Sequence, residues 1–260
     1  MTIDCPSIPP ETLLALRRCL NTQEHPLSPL VPKTAALSLV DLRRLIRPET
    51  ADDVFMPLLA ADEARIWTAL AHPKRKREWL GGRLAGKQAL CTLLNRRDVP
   101  ECFPRYALLP DTHGRPRPLL PDGAEHSLRL SLSHSRDYAA ALATYDDPCG
   151  IDIQHVTPRL LKVRRYFATD REVRLLKESI PDPLLGLGLL WAAKEAAKKA
   201  YLADQPSFFG AIQLHSIEPL DCRAPLWSAR CTVRETTRAL VRLTTFSDHC
   251  LACITESSHA

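Results

Sequence analysis

Gly150-Ile151-Asp152-Ile153-Gln154 is the stretch on which the fold turns. Two β-branched residues alternate with two polar ones behind a glycine, which is the period of a strand. Asp152 and Gln154 therefore leave one face, and Ile151 and Ile153 pack the other. Paired oxygen ligands on one strand face suit a hard cation such as Mg²⁺. An ordinary polar, solvent-facing strand reads from the same pair, and the strand by itself leaves both readings open.

Downstream, Leu189-Leu190-Trp191-Ala192-Ala193-Lys194-Glu195-Ala196-Ala197-Lys198-Lys199-Ala200-Tyr201 is built from good helix formers. Trp191, Glu195 and Lys199 step by four along one side, with Lys198 beside them and Lys194 one turn before Lys198. A carboxylate flanked by ammonium groups holds a cation and phosphates together, as phosphoryl-group transfer requires. It is also a common decoration of a solvated helix, where such a pair contributes only about 0.2–0.5 kcal/mol.

Upstream, the basic run Lys74-Arg75-Lys76-Arg77 leads a helical segment over residues 74–94 that carries Arg83 and Lys87. Lys87 interrupts the apolar stripe of Leu80, Leu84, Cys91 and Leu94, so its ammonium must snorkel or meet an anion. His134, between Ser133 and Ser135, falls at the expected bend of a hairpin made by residues 128–133 and 138–144. It is a phosphate donor, a base, or neither.

Around these features the chain runs strand, helices, strands twice. Expected boundaries are a loosely attached, Pro-rich extension at residues 1–35, an amino-terminal half at 36–146 and a carboxy-terminal half at 147–260. The second half is expected to open with the Gly150 strand and close with three strand-like runs near Leu226, Ala239 and Cys250. No repeat is visible in the residues, so a duplicated α+β unit rests on element order alone.

Thirty-five Lys plus Arg against thirty Asp plus Glu leave a charge of +5 on 260 residues, of which 45% are hydrophobic. That excludes a disordered chain, and 6% aromatic content leaves little for binding single strands by base stacking. The nine cysteines are scattered and read as free thiols in a cytoplasmic protein. Cys250 and Cys253 sit on an expected strand, where residues three apart face opposite ways, so they read as core residues and not as a metal site. Neither a membrane span nor a secretory signal is apparent, and P-loop, Gly-x-Gly-x-x-Gly and His-Glu-x-x-His motifs are lacking.

In order, Gly114-Arg115-Pro116, Leu130-Ser131-Leu132-Ser133-His134-Ser135, Gly150 to Gln154, Arg165-Tyr166-Phe167, and Trp191 to Glu195 with Lys199 resemble the 4′-phosphopantetheinyl transferase superfamily. The match is to its larger type, which activates peptide and polyketide synthetases. The resemblance implies an α+β fold of two similar halves related by a pseudo-twofold axis, with coenzyme A held between them. It implies Mg²⁺-dependent transfer of the phosphopantetheine arm of coenzyme A to a serine of an apo acyl or peptidyl carrier protein, releasing adenosine 3′,5′-bisphosphate. By the same resemblance Asp152, Gln154 and Glu195 are metal ligands, with Gln154 where this type often has a third acid. Arg77, Arg83, Arg115, Ser133, His134, Lys194 and Lys199 fall on coenzyme A positions, and Glu195, Lys199 and Lys194 on catalytic ones. Coenzyme A and a carrier protein are the implied partners of a monomer, without nucleic acid or membrane. Two alternatives stand beside this: a coenzyme A-binding relative with weak or lost transfer, and a basic protein that docks through Lys74 to Arg77 on an acidic partner or nucleic acid.

Overall fold

The structure is a computed structural model that describes residues 8–20, 31–45, 54–96, 100–121, 123, 127–145, 148–202, 210–221 and 224–255. The chain divides into two compact units, one containing Thr34–Tyr145 and the other Asp146–Ala260.

In the first unit β1 (Ala35–Asp41) is followed by α1's partners in the core, α2 (Ala61–Ala69) and α3 (Pro73–Leu93), where α1 is the preceding helix Pro10–Cys19. Then come β2 (Ala107–Pro110), β3 (Pro116–Leu119), β4 (Leu128–Ser135) and β5 (Tyr138–Tyr145). The sheet order is β1-β5-β4, and the β2-β3 ribbon lies with β3 against β4. The long helix α3 covers β5 and β1, burying Leu80, Leu84, Ala85 and Leu90. Its glycines allow that closeness: a Cβ on Gly81 would fall 2.2 Å from Leu42 Cδ2.

The second unit repeats this plan. Strand β6 (Gly150–His155) leads to α4 (Arg159–Val163), α5 (Asp170–Ser179) and α6 (Pro183–Tyr201). Four antiparallel strands follow, β7 (Ile212–Asp221), β8 (Leu226–Val233), β9 (Thr237–Phe246) and β10 (His249–Ile254), in the sheet order β6-β10-β9-β8-β7. Helix α6 packs on β6, β10 and β9 and buries most of its leucines and alanines. The order β6-β10-β9 matches β1-β5-β4, while β8 and β7 continue that sheet where β3 and β2 form a separate ribbon beside β4.

Three expectations are corrected. The three closing strands are four, because Ile212–Asp221 is also a strand; its alternation breaks at register shifts around His215 and Leu220. The segment read as loosely attached contains α1, which belongs to the first unit's core. Leu16 and Cys19 are buried, the Thr12 hydroxyl donates to the Val54 carbonyl at 2.7 Å, and Leu20 bridges Val40. His134 lies inside the β4 ladder opposite Ala139, and the bend falls at Arg136, whose φ of 50° turns the chain. The described cysteines, Cys250 and Cys253 included, are buried free thiols. Among the described residues no helix is long and apolar enough to cross a membrane.

Candidate functional site

Gly150 sets the geometry of the second unit. A Cβ there would lie 2.2 Å from the Ala196 carbonyl oxygen and 2.9 Å from Ala200 Cβ, so only glycine lets α6 settle this closely on β6. The approach brings Lys199 onto the strand, where its ammonium donates to Asp152 Oδ1 at 2.8 Å and to the Ile151 carbonyl at 2.9 Å. Glu195 lies one turn earlier. Burial raises its carboxyl pKa, the negative charge of Asp152 raises it further, and Lys198, 3.8 Å away, and Lys199 only partly offset the two. Gln154 shares the strand face of Asp152, and its amide nitrogen donates to the His155 carbonyl at 2.7 Å.

Asp152, Glu195 and Lys199 are thus brought together, and Lys194 is not. Its ammonium sits 2.7 Å from Glu172 Oε1 and donates to the Phe167 carbonyl at 2.8 Å, with the side chain 4% exposed. Successive helical residues point about 100° apart. Beside a partly exposed Glu195, Lys194 faces the core, so the expected place of its ammonium among coenzyme phosphates is taken by Glu172 and the Phe167 carbonyl.

The first unit holds a cavity of about 320 Å³ lined by Arg75, Glu78, Trp79 and Arg83 of α3, Ser133 and His134 of β4, and the turn at Gly114 and Pro116. Arg83 stacks on Trp79 at 4.6 Å, with its Nε 3.9 Å from Glu63 Oε1. Burial lowers the pKa of its guanidinium and the charge of Glu63 opposes that. His134 Nδ1 is 3.8 Å from Glu78 Oε1. Gly114, at φ 81°, closes a turn in which Asp111 Oδ1 accepts the N–H groups of His113 at 2.8 Å and Arg115 at 2.9 Å. Arg115 is half-buried between two lining residues without lining the cavity itself. Arg77 is exposed and stands outside the cavity lining, where Arg75 is found instead. The helical repeat explains the exchange: positions 75, 78, 79, 82 and 83 share one face, and position 77 does not.

Residues 61–144 match the family model of the 4′-phosphopantetheinyl transferase N-terminal domain, and residues 148–254 that of the 4′-phosphopantetheinyl transferase superfamily. A holo-[acyl-carrier-protein] synthase of Geobacillus sp. (strain WCH70) is 32% identical over 109 residues, spanning 40% of this chain and 88% of that protein. The chain belongs to the 4′-phosphopantetheinyl transferase superfamily. Among solved structures it is similar to the holo-(acyl-carrier-protein) synthase from Bacillus anthracis str. Ames in complex with CoA (3′,5′-ADP). That match has 23% identity and a TM-score of 0.37, covering 43% of this chain and 94% of that one. The apo-ACPS of Chronobacterium ammoiniagenes matches at 24% identity and a TM-score of 0.34, covering 44% and 96%.

This phosphopantetheinyl transferase also contains two buried ion pairs that sequence reasoning missed. Besides Glu172 with Lys194, Glu63 lies 2.5 Å from Lys87 in the first unit, both fully buried. Lys87 does meet an anion, as its place in the apolar stripe demands, but the anion is the protein's own. One signal was present: Thr169-x-x-Glu172 has capping-box spacing, and Glu172 accepts the Thr169 N–H at 2.8 Å.

Proposed function

We propose that this enzyme transfers the 4′-phosphopantetheine arm of coenzyme A to a serine of an apo carrier protein, with Mg²⁺ as cofactor and adenosine 3′,5′-bisphosphate as the second product. The observation that carries the reading is the close seating of α6 on β6 at Gly150, which sets Lys199 on Asp152 Oδ1 at 2.8 Å and brings the carboxylate of Glu195, one turn earlier, under the influence of the Asp152 charge. Two such carboxylates are stabilised by a cation, and Lys199 already supplies an ammonium to one of them. Among the described residues no three His, Cys, Asp or Glu side chains form a metal-holding group. A cation here would be held by Asp152 and Glu195, with the Gln154 amide oxygen, water and substrate oxygens completing its shell. When bound, Mg²⁺ supplies positive charge to the phosphoryl oxygens.

The chain's own groups account for the remaining steps. Arg75, Arg83, Ser133 and His134 form a cationic, hydrogen-bonding cavity suited to the phosphates of the coenzyme. Arg115 is kept as a further coenzyme contact beside it. Glu195 is the group to take the serine proton, because its carboxylate stands beside Asp152 with no ammonium among the described residues as close to it as Lys199 is to Asp152. Lys199 is the poorer base, since its ammonium is engaged by Asp152 and the Ile151 carbonyl; there it adds fixed positive potential. The exposed Arg159, Lys162, Arg164 and Arg165, interspersed with exposed Leu161 and Tyr166, offer a surface for an acidic carrier.

The test is to incubate the protein with coenzyme A, Mg²⁺ and apo carrier proteins and to weigh the carriers by mass spectrometry. A phosphopantetheine adduct on the carrier serine is expected, absent in Asp152→Ala and Glu195→Ala variants that retain native circular dichroism. No adduct on several carriers, or near-normal rates in both variants, would sink the proposal. Coenzyme binding without transfer would favour the inactive relative.

A further inference from the structure

The two buried ion pairs are one device used twice. In the second unit Glu172 is the third residue of α5. One carboxylate oxygen accepts the Thr169 N–H, and the other accepts the Leu214 N–H of β7 at 2.8 Å and faces Lys194. Lys194 donates to the carbonyl of Phe167, two residues before the helix cap Thr169. In the first unit Glu63 is the third residue of α2. It accepts the N–H of the cap residue Ala60 at 3.0 Å and of Leu108 in β2 at 2.9 Å, and it pairs with Lys87. Lys87 donates to the carbonyl of Leu58, two residues before Ala60, at 2.8 Å, and also to that of Phe103. Each pair thus ties a short helix, the following strand and the long helix to one point.

We infer that these pairs are positioning elements for the two halves of the reaction: Glu172–Lys194 sets the rotation of α6 and so the placement of Glu195, and Glu63–Lys87 sets the placement of Arg83 in the cavity. The inference rests on the transferase reading above. Lys194 precedes Glu195 directly, and Ala196, on the other side of Glu195, is seated against Gly150. Trp191, one turn earlier, meets the ring of the same Phe167 edge-on at 5.0 Å. Glu195 is therefore held between two fixed points. With side chains reaching about 5–6 Å from a helix axis, a rotation of about 20° moves a carboxylate by about 2 Å. Displacements of about 1 Å are enough to lower rates by about 10²-fold. In the first unit Lys87 lies one turn after Arg83, and Glu63 faces both.

Removing one partner would leave a buried charge and endanger the fold, whereas neutralising both partners with similar shapes is often tolerated. The test therefore uses the full chain carrying either Glu172→Gln with Lys194→Met, or Glu63→Gln with Lys87→Met. Melting temperature, kcat and KM for coenzyme A are measured with Mg²⁺ and an apo carrier. The second-unit double variant is expected to lose at least tenfold in kcat with KM within about twofold. The first-unit double variant is expected to raise KM severalfold with kcat largely kept. A purely structural role would not split the two constants in opposite ways. Unchanged kcat in the second-unit double variant, parallel losses in both, or loss of folding in either would overturn the inference while the transferase reading stood. A wild-type protein without transfer would overturn that reading itself.

Discussion

Gln154 stands on the strand face of Asp152, and in the proposed metal site it would be a neutral ligand where a carboxylate would add charge. An amide oxygen coordinates Mg²⁺ without contributing to its electrostatic attraction, and ligand charge sets affinity at such sites. Gln154→Glu is accordingly expected to lower, severalfold, the Mg²⁺ concentration giving half-maximal transfer; an unchanged titration would place position 154 outside the metal's ligands. At this scale Asp152, Glu195 and Lys199 were legible, since strand alternation and four-residue helical steps say which side chains share a face. Lys194 was not. In an Ala-rich helix flanked by lysines, nothing in the residue types separates the ammonium that faces water from the one that faces Glu172.

Helix α6 and strand β6 bring Asp152, Glu195 and Lys199 together, and a missing Cβ lets them sit this closely. Gly150→Ala would push a methyl into the Ala196 backbone carbonyl, a contact that no side-chain rotation relieves. Overpacking of this kind costs about 1–3 kcal/mol. A lower urea midpoint is expected, with a larger fall in transfer than unfolding explains, because α6 must move away from Asp152; a wild-type midpoint and rate would refute the close seating. The duplication, invisible by eye in the residues, becomes legible once the buried lysines are aligned. One residue after Lys194 comes Glu195 and five after it Lys199, whereas the same steps from Lys87 reach Gln88 and Thr92. The amide of Gln88 faces the hydroxyl of Thr92 at 3.4 Å. The frame was kept in both units and the charged set in one.

Taken as a whole molecule, the chain is two α+β units with a common three-strand order, and the amino-terminal helix α1 belongs to the first. Burying a leucine such as Leu16 stabilises by about 1.5–3 kcal/mol. Deleting residues 1–19 is therefore expected to lower the thermal midpoint followed by circular dichroism; an unchanged midpoint would return α1 to the status of an appendage. Proline density made this segment read as detached, yet its helix starts with Pro10 in the first turn, where a missing N–H costs nothing.

What the sequence determined by itself was periodicity and chemistry: a strand with two polar residues on one face, a helix with Glu195 and Lys199 on one side, an even mixture of charge, and the order of motifs that marks the superfamily. The tertiary structure decided which cations line the cavity or reach Asp152 and which are buried on the protein's own carboxylates. Arg75 lines the cavity and Arg77 does not; Lys199 reaches Asp152 and Lys194 is buried on Glu172. Spacing places side chains relative to one another on a helix, but the side that becomes interior depends on the sheet packed against it, and that contact is made by residues distant in the chain.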